Sequence, residues 1–547
     1  MLTPEQIDAL SELSQQAVEP VIEFLLDDIA RRIAEAGQFT STASYQIWRA
    51  QTLGLSRKDI EKELQKRLNI SQEELEKLLV QSAEVGYSFD LNRLGVEGVP
   101  FAENESLQQI VSAAKKLADE NFYNVTQTLG FVNPFGKAVS VKDAYVSCCD
   151  FVFYQVSTGA ADYNTAIRQA IKNLSDKGVR SVDYKSGRHY SLEAAVRQSF
   201  MGGLGLMQEQ ISQMNHDKFE ANGWEISAHA ASAPDHEPIQ GKQYSDKDYN
   251  ELNNSLERRI GTLNCGHAAF PIILGVSQPQ YTSEQLEQFK KDNEKGVTYN
   301  GKHYTSYEAT QKQRAIERAI RRQKRRVLAA EASGDKDALL TSQVRLRSLN
   351  EEYRRYSKAV KLPAQYQRAE AAGFSLKQAN EAAKGANKYY KQWSKSIGVN
   401  DSVKTLEDYY EMKYNRPEEY RLLKGYVRAV EKQDIDTLTG FEQYMKTANE
   451  ISDKIVGQIT SEGVVIESFT THFIDRTIGQ CADPHKGMRQ GTPVDYSLDA
   501  LLNPVKPVKI QHVANDDIRQ VYYGKKAKVV ISVRDKKLIQ ANLRSEE

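Results

Sequence analysis

Two histidines and a Cys-x-His pair are close together in a chain that has only nine histidines. His229 and His236 are seven residues apart, and Cys265 and His267 follow them. Imidazole nitrogens and a thiolate sulfur are suitable ligands for tetrahedral zinc. The four residues therefore predict a candidate structural zinc site, although Cys-x-His is not a usual zinc-finger spacing. The alternative is a polar core around a loop whose turns are fixed by prolines.

A second candidate site lies further along the chain. His472 and Arg476 are four residues apart, so they share one face of a predicted helix. A histidine can move the proton of a ribose 2′-hydroxyl, and an arginine can stabilise the charge of a phosphorane. A predicted strand pair follows this helix, and the candidates Arg489 and Ser532 lie in the same segment. The pattern suits metal-independent RNA cleavage. The alternative is a helix face that only packs and contacts solvent.

Basic residues concentrate on a predicted helical hairpin over residues 307–360, which is broken near Gly334 and Asp335. Between residues 301 and 362 the sequence has sixteen Lys/Arg and seven Asp/Glu. Such a surplus suits contact with nucleic acid or with an acidic partner, whereas the alternative is a solvated helix face. The candidate contact residues on the first helix are Arg314, Arg318, Arg321, Arg322, Lys324, Arg325 and Arg326.

The composition of the 547-residue chain narrows its class. Seventy-three basic and seventy-three acidic side chains give no net charge, which argues against a protein that only coats nucleic acid. The longest apolar run, residues 270–276, is too short to cross a bilayer, so we expect no membrane span. Four cysteines cannot form a disulfide framework, and no secretory signal is visible at residues 1–16. We therefore expect synthesis in a reducing cytoplasm.

The elements that position these residues predict a predominantly α-helical α+β fold. Near the N-terminus we expect two helices joined at Asn69-Ile70, and the acidic surplus of residues 1–100 disfavours a DNA-reading pair. Gly202, Gly203 and Gly205 would let another element approach a helix closely. The predicted regions are helical (1–135), α+β core (136–300), basic helical hairpin (301–365), helical linker (366–462) and small α+β domain (463–547).

Several blocks within residues 20–290 resemble the minor capsid family of tailed phages of Gram-positive hosts, relatives of the phage Mu head protein F. They include DDIARRIAEAGQFTSTASYQIWRAQTLG, SLEAAVRQSFMGGLGLMQEQ and TLNCGHAAFPIILGVSQPQYTSEQLEQF. The resemblance implies a virion protein inside the head near the portal, with portal, major capsid or scaffold proteins and packaged DNA as partners. Gly266 stands where the family has arginine. The motif positions carried over are His229, Asp235, His236, Gly241, Asn264, Cys265 and His267.

The segment from ESFTTHFIDRTIGQ to VVISVRDKKLIQANL resembles the barnase, EndoU, colicin and RelE-like nuclease domains found on phage head proteins. This resemblance implies an RNA substrate, no cofactor for cleavage, and an immunity protein as a further partner. His472 would be the general acid or base, Arg476 the phosphate stabiliser and Arg489 a further basic member. Many relatives have a hydroxyl residue where this chain has Ala541, and Ser532 on the neighbouring strand would substitute for it.

Three hypotheses follow from these resemblances. The first is a minor head protein that carries a ribonuclease-like toxin domain. The second is a purely structural head protein whose nuclease fold is inactive. The third is a polymorphic toxin whose nuclease activity is the main function, delivered to the host cytoplasm.

Overall fold

The chain forms two compact units, residues 1–383 and residues 384–547, in a computed structural model. The structure describes all residues except 1, 3, 40, 56, 184, 185, 187, 262–264, 300, 484–486, 514–516 and 545–547. Within the helices and strands, the side chains of residues 4, 5, 50–55, 57–61, 164, 480–483, 487 and 488 are not described. The predicted fold class, a predominantly helical α+β protein, is confirmed.

The first unit is mainly helical and contains small antiparallel sheets. Its helices are α1 (Pro4–Gln16), α2 (Glu19–Gly37), α3 (Thr42–Leu55), α4 (Arg57–Leu94), α5 (Glu105–Gln127), α6 (Val141–Ser157), α7 (Tyr163–Lys177), α8 (Leu192–Lys218), α9 (Asp246–Ser255), α10 (Ser283–Lys295), α11 (Ser306–Ala332) and α12 (Lys336–Ala359). Its strands are β1 (Leu129–Val132), β2 (Ala138–Ser140), β3 (Arg180–Val182), β4 (His189–Ser191), β5 (Gly223–Ile226), β6 (Gln243–Ser245), β7 (Ala269–Ile272), β8 (Val297–Tyr299) and β9 (Lys302–Tyr304). The strands pair in the orders β2-β1-β3-β4, β6-β5-β7 and β8-β9.

The main hydrophobic core is built around the apolar stripe of α2. Val21, Leu25, Ile29 and Ile33 recur at helical spacing, and all are buried against neighbouring helices. Burial of each such side chain contributes about 1.5–3 kcal/mol relative to exposure. The core is therefore sufficient to fix the helices that surround it.

The expected break at Asn69-Ile70 was wrong, because α4 continues through it as one helix. The Ser71 hydroxyl does not cap a new helix. It donates to the backbone carbonyls of Arg67, one turn earlier, and of Ala17, outside the helix. Serine at this position therefore joins α4 to the chain before α2 and does not start a new helix.

Short strands that lead directly into capped helices recur in the first unit. The strands β3 and β4 form one antiparallel pair and β8 and β9 another, and each pair is followed by a long helix. The same transition from strand to helix occurs from β2 to α6 and from β6 to α9. Three of the strands end at a serine and the fourth is followed directly by a threonine, and each hydroxyl accepts a backbone N–H of the helix; the four caps are Ser140, Ser191, Ser245 and Thr305.

The basic helical hairpin is formed by α11 and α12, as predicted. Gly334 has a positive φ of 72°, and the Asp335 side chain accepts the backbone N–H groups of Asp337 and Ala338 at the start of α12. The two helices enclose a core that includes Ile320, Leu346, Tyr353 and Tyr356.

The second unit has a helical part followed by a sheet. The helix α13 (Leu376–Ile397) begins in the first unit and ends in the second. The helices that follow it are α14 (Leu406–Asn415), α15 (Pro417–Glu431), α16 (Gly440–Ile455), α17 (Thr471–Ile478) and α18 (Val494–Leu502). Its strands are β10 (Ser468–Phe469), β11 (Gly479–Asp483), β12 (Gly487–Gln490), β13 (Lys509–Val513), β14 (Asp517–Tyr523), β15 (Ala527–Ser532) and β16 (Lys537–Leu543). The main sheet has the order β10-β16-β15-β14-β13, and β10 runs parallel to β16. Among the described residues, no helix is long and apolar enough to cross a membrane.

Candidate functional site

The His/Cys cluster is assembled by the pairing of β5 with β7. Ile226 at the end of β5 pairs with Ala269 at the start of β7. The loop that follows β5 carries His229 and His236, and the loop that precedes β7 carries Cys265 and His267. Because the strands are antiparallel, these loops meet at the same end of the sheet.

Three of the four predicted ligands have their ligand atoms within 4.8 Å of one another, namely His236, Cys265 and His267. The Cys265 sulfur is 3.2 Å from His236 Nδ1 and 3.7 Å from His267 Nδ1. All three side chains are buried. The structure thus brings together two imidazoles and a thiol that are separated by up to 31 residues (236 to 267) in the sequence.

The hydrogen bonds made by the Nε2 atoms of His236 and His267 leave the Nδ1 atom of each ring facing the Cys265 sulfur. His236 Nε2 is 2.9 Å from the carbonyl oxygen of Arg258, which can only accept a hydrogen bond. His267 Nε2 is 3.0 Å from Gln240 Oε1, and the same oxygen accepts the backbone N–H of His229. Both Nε2 atoms therefore carry the ring proton, and both Nδ1 lone pairs face Cys265.

Burial disfavours the charged forms of His267 and Cys265. Burial, followed by the nearby His229 and His236, lowers the pKa of His267 to about 3. Burial also raises the pKa of the Cys265 thiol. At neutral pH His267 is therefore a neutral imidazole, which is the form that binds a metal ion.

His229 is adjacent to the cluster but does not belong to the group of three. Its ring stacks on that of His267, with 4.6 Å between the centroids. A Cβ atom at Gly266 would lie 3.3 Å from His229 Nε2, so the side chain that the related family has at this position would crowd the ring.

The other motif positions have structural roles around the cluster. Asp235 forms an ion pair with Arg258, which lowers the pKa of its carboxyl group. Gly241 has a positive φ of 68°, and a Cβ there would overlap Leu286. Asn264 lies outside the described residues. Sequence reasoning did not identify Gln240 and Arg258, since their contacts with the histidines depend on the loop conformation.

Most of the predicted nucleic-acid contacts on α11 lie against acidic residues of the same unit. Arg325 is 6% exposed and lies 2.5 Å from both Glu19 and Glu193. Lys324 lies over the ring of Phe374. Arg318 and Arg322 are exposed, and neither forms an ion pair with another described residue. The remaining ion pairs are Arg314 with Asp8, Arg321 with Glu12, and Arg326 with Asp176.

His472 and Arg476 meet on α17, as their spacing predicts. Arg476 Nε donates to His472 Nε2 at 3.2 Å, and its Nη1 lies 3.4 Å from Asn542 Oδ1 on β16. His472 Nδ1 is 3.8 Å from the buried carboxylate of Asp475, which accepts a hydrogen bond from the Tyr444 hydroxyl. The His472 side chain is 40% exposed and can therefore be reached from solvent.

The structure does not place Ser532 beside this pair. Ser532 pairs with Lys537, whereas Asn542, which contacts Arg476, pairs with Lys528 at the other end of β15. Four residues of extended strand separate the two positions by roughly 13 Å. The Ser532 hydroxyl is buried and donates to Asp517.

Arg489 and Ala541 complete the predicted site positions. Arg489 lies on β12, next to the strand that continues from α17. Its Nε and Nη2 atoms are buried and have no hydrogen-bond partner within the described part of the chain. Ala541 is fully buried in β16.

The buried His/Cys loops and the helical hairpin both belong to a structural region shared with phage head proteins. Residues 2–358 match the family described as phage minor capsid protein 2. The chain belongs to this family and is a virion-associated structural protein of the head, as the sequence predicted. No curated protein and no solved structure matches the chain.

Proposed function

We propose that this minor capsid protein acts inside the head near the portal and that residues 463–547, in its second unit, form a metal-independent ribonuclease. The observation that carries the proposal is the arrangement of His472, Asp475 and Arg476 on one face of α17, where His472 is reached from solvent and Asp475 is buried beside it. It combines a proton acceptor, a carboxylate that orients it and a cation, which are the groups that RNA cleavage through the 2′-hydroxyl requires.

The hydrogen bonds support a role for each group. A guanidinium can only donate, so His472 Nε2 is unprotonated and its ring proton lies on Nδ1, towards Asp475. Burial raises the pKa of Tyr444, so its hydroxyl stays protonated and donates to Asp475. When RNA binds, Arg476 turns from the ring to the phosphate, and His472 Nε2 takes the proton of the 2′-hydroxyl.

The proposal is tested with the purified full chain and total RNA in the presence of EDTA. We expect cleavage by the wild-type protein and loss of at least 100-fold in rate in His472→Ala, since general base catalysis contributes about 10²–10⁴. His512→Ala is the matched control, because this histidine is exposed on β13 of the same unit. Undiminished cleavage by His472→Ala would overturn the assigned residue.

The same experiment separates the two remaining hypotheses. Absence of cleavage by the wild-type protein would favour a structural head protein with an inactive nuclease-like unit. Growth arrest on expression of the wild-type chain, relieved by His472→Ala, would favour a toxin for which an immunity protein exists.

Contact with packaged DNA would depend on few residues of the hairpin. Only Arg318 and Arg322 among the seven proposed residues are exposed without an ion pair to a described residue. Two such contacts release two counterions, so the logarithm of the binding constant should fall with the logarithm of the salt concentration with a slope of about −2. Measurement of duplex binding against salt concentration for wild type and for the double variant Arg318→Gln/Arg322→Gln tests this contact. If the slope were equally steep in the double variant, Arg318 and Arg322 would be excluded as the residues that contact DNA.

Location near the portal is tested by cross-linking intact heads. We expect cross-links between this chain and the portal protein, and exclusive cross-links to major capsid subunits would contradict the location.

A further inference from the structure

We propose that His236, Cys265 and His267 bind one zinc ion whose open fourth position faces an arginine-lined cavity, and that this cavity takes a phosphate-bearing ligand. The site lies in the first unit and is independent of the proposed ribonuclease, which lies in the second.

The two sulfur-to-nitrogen distances are close to those of a tetrahedral zinc site. Zn–S and Zn–N bonds of about 2.3 and 2.0–2.1 Å at a tetrahedral angle place sulfur and nitrogen about 3.6 Å apart. The sulfur of Cys265 lies 3.2 Å from His236 Nδ1 and 3.7 Å from His267 Nδ1. All three ligand atoms lie within 4.8 Å of one another, so the side chains are gathered around one point that an ion can occupy.

The orientation of the rings is also explained by an ion. Both Nδ1 atoms accept, since both Nε2 protons are donated to carbonyl oxygens, of Arg258 and of the Gln240 side chain. One thiol hydrogen can serve only one of these buried acceptors, and an unsatisfied acceptor costs about 1–3 kcal/mol. A metal ion accepts both lone pairs together with the thiolate.

The donor set selects zinc among the common divalent ions. Magnesium and calcium prefer oxygen ligands, and the cluster offers two imidazole nitrogens and a sulfur. Three protein ligands leave one tetrahedral position open, because His229 is not within the group of mutually close ligand atoms.

The same three residues line a cavity of about 560 Å³ whose charge is strongly positive. Its charged lining includes four arginines and one carboxylate, Asp8; the arginines are Arg197, Arg258, Arg314 and Arg318. Asp235 and Asp8 form ion pairs with two of them, Arg258 and Arg314.

The other two arginines leave positive charge for a ligand. Arg197 donates to the Ser11 hydroxyl, and Arg318 is exposed and has no ion pair within the described chain. Guanidinium groups around a divalent ion are suited to a phosphate, which accepts several hydrogen bonds and supplies an oxygen to the open position.

The metal is tested by measuring zinc per chain after purification with added zinc and dialysis. We expect one zinc ion in the wild type, its loss in Cys265→Ser, and its retention in His303→Ala, which removes an exposed histidine outside the cluster. Less than half an ion in the wild type, or an unchanged content in Cys265→Ser, would overturn the site. Because Cys265→Ser could misfold, the wild type is also loaded with cobalt, and the absence of a sulfur-to-cobalt charge-transfer band would equally overturn it.

The open position and the cavity are tested with inorganic phosphate on the cobalt-loaded full chain. We expect phosphate to shift the visible cobalt spectrum and Arg318→Gln to raise the phosphate Kd at least fivefold. Arg345→Gln is the matched control, because Arg345 is an exposed arginine on α12 and does not line this cavity. A spectrum unchanged by phosphate, or equal affinities in the two variants, would overturn the phosphate site while the metal site stands on its own measurement.

Discussion

At the scale of single residues, the most consequential feature is the burial of Arg325 between two carboxylates. Glu19 and Glu193 are nearly as buried as the guanidinium. Burial raises the pKa of Glu19, whereas the guanidiniums of Arg325 and Arg321 overcome burial and hold the pKa of Glu193 below its usual value. One cation thus keeps two elements, α2 and α8, attached to α11.

Replacing Arg325 is expected to destabilise the first unit strongly. In Arg325→Met the two carboxylates remain buried without their cation, which costs about 3–5 kcal/mol. Arg322→Met on the same helix exposes no such group and should change stability by about 0.5 kcal/mol or less. Urea unfolding followed by circular dichroism measures both, and equal midpoints for the two variants would contradict this account.

Asp335 gives stability a specific dependence on pH. Burial alone would raise the pKa of its carboxyl, but hydrogen bonds from Arg168 and from the backbone N–H groups of Ala338 and Asp337 outweigh burial and lower it from 3.8. A lowered folded-state pKa contributes stability above the unfolded-state value, and this contribution is lost as the pH falls through the folded-state value.

We therefore expect wild-type stability to decline more steeply than that of Asp335→Asn as the pH is lowered from about 5 to 2. Thermal melts of both proteins across this range provide the measurement. Parallel curves would show that the Arg168–Asp335 ion pair does not contribute.

At the scale of elements, Gly205 lets the backbone at Gly261 lie close to α8, whereas Gly202 on the same helix makes no such contact. A Cβ at Gly205 would overlap the backbone carbonyl oxygen of Gly261, whereas a Cβ at Gly202 would meet nothing within 4 Å. The expectation that glycines admit a neighbouring element is confirmed for Gly205. Gly202 and Gly203 have no such contact.

The two glycines should respond oppositely to the same substitution. Gly205→Ala forces backbone apart and is expected to cost about 1–3 kcal/mol. Gly202→Ala should be neutral or stabilising by up to about 1 kcal/mol, since alanine favours a helix. The midpoints of chemical unfolding compare them, and a stable Gly205→Ala would refute the close packing.

Local signals predicted the elements better than they predicted their contacts. The hairpin of α11 and α12 followed from Gly334 and Asp335, and the shared face of His472 and Arg476 followed from their spacing. The predicted break at Asn69-Ile70 was wrong, because the Ser71 hydroxyl makes a tertiary contact with Ala17 and does not cap a new helix.

The long-range pairs gave no local signal at all. The basic surplus of α11 was visible in the sequence, but its acidic partners lie up to 306 residues away, as for Arg325 and Glu19. In the same way, the hydrogen bond between His267 and Gln240 could not be predicted, because it depends on the conformation of the loop that brings the two side chains together.

At the scale of the whole molecule, the family match and the candidate ribonuclease lie in different units. The match covers residues 2–358, within the first unit, whereas α17 and its sheet lie in the second. The metal and RNA proposals should therefore respond separately to chelation.

Removal of zinc is expected to lower the melting temperature of the first unit without affecting RNA cleavage. An ion held at about 100 times its Kd contributes about 2.7 kcal/mol to the folded state. Calorimetry with and without chelator, paired with an RNA assay of the same samples, tests the separation. Loss of RNA cleavage on chelation would contradict the proposal that the ribonuclease needs no metal ion.

The contact of Arg325 with Glu19 has a consequence for the order of events during translation. Glu19 leaves the ribosome some 306 residues before its guanidinium partner, and Glu193 does so 132 residues before it. Until α11 is synthesised, α2 and α8 would have to bury carboxylates without a cation, which disfavours their final packing. We therefore expect the N-terminal helices of the nascent chain to stay loosely assembled until the hairpin emerges and supplies the cation.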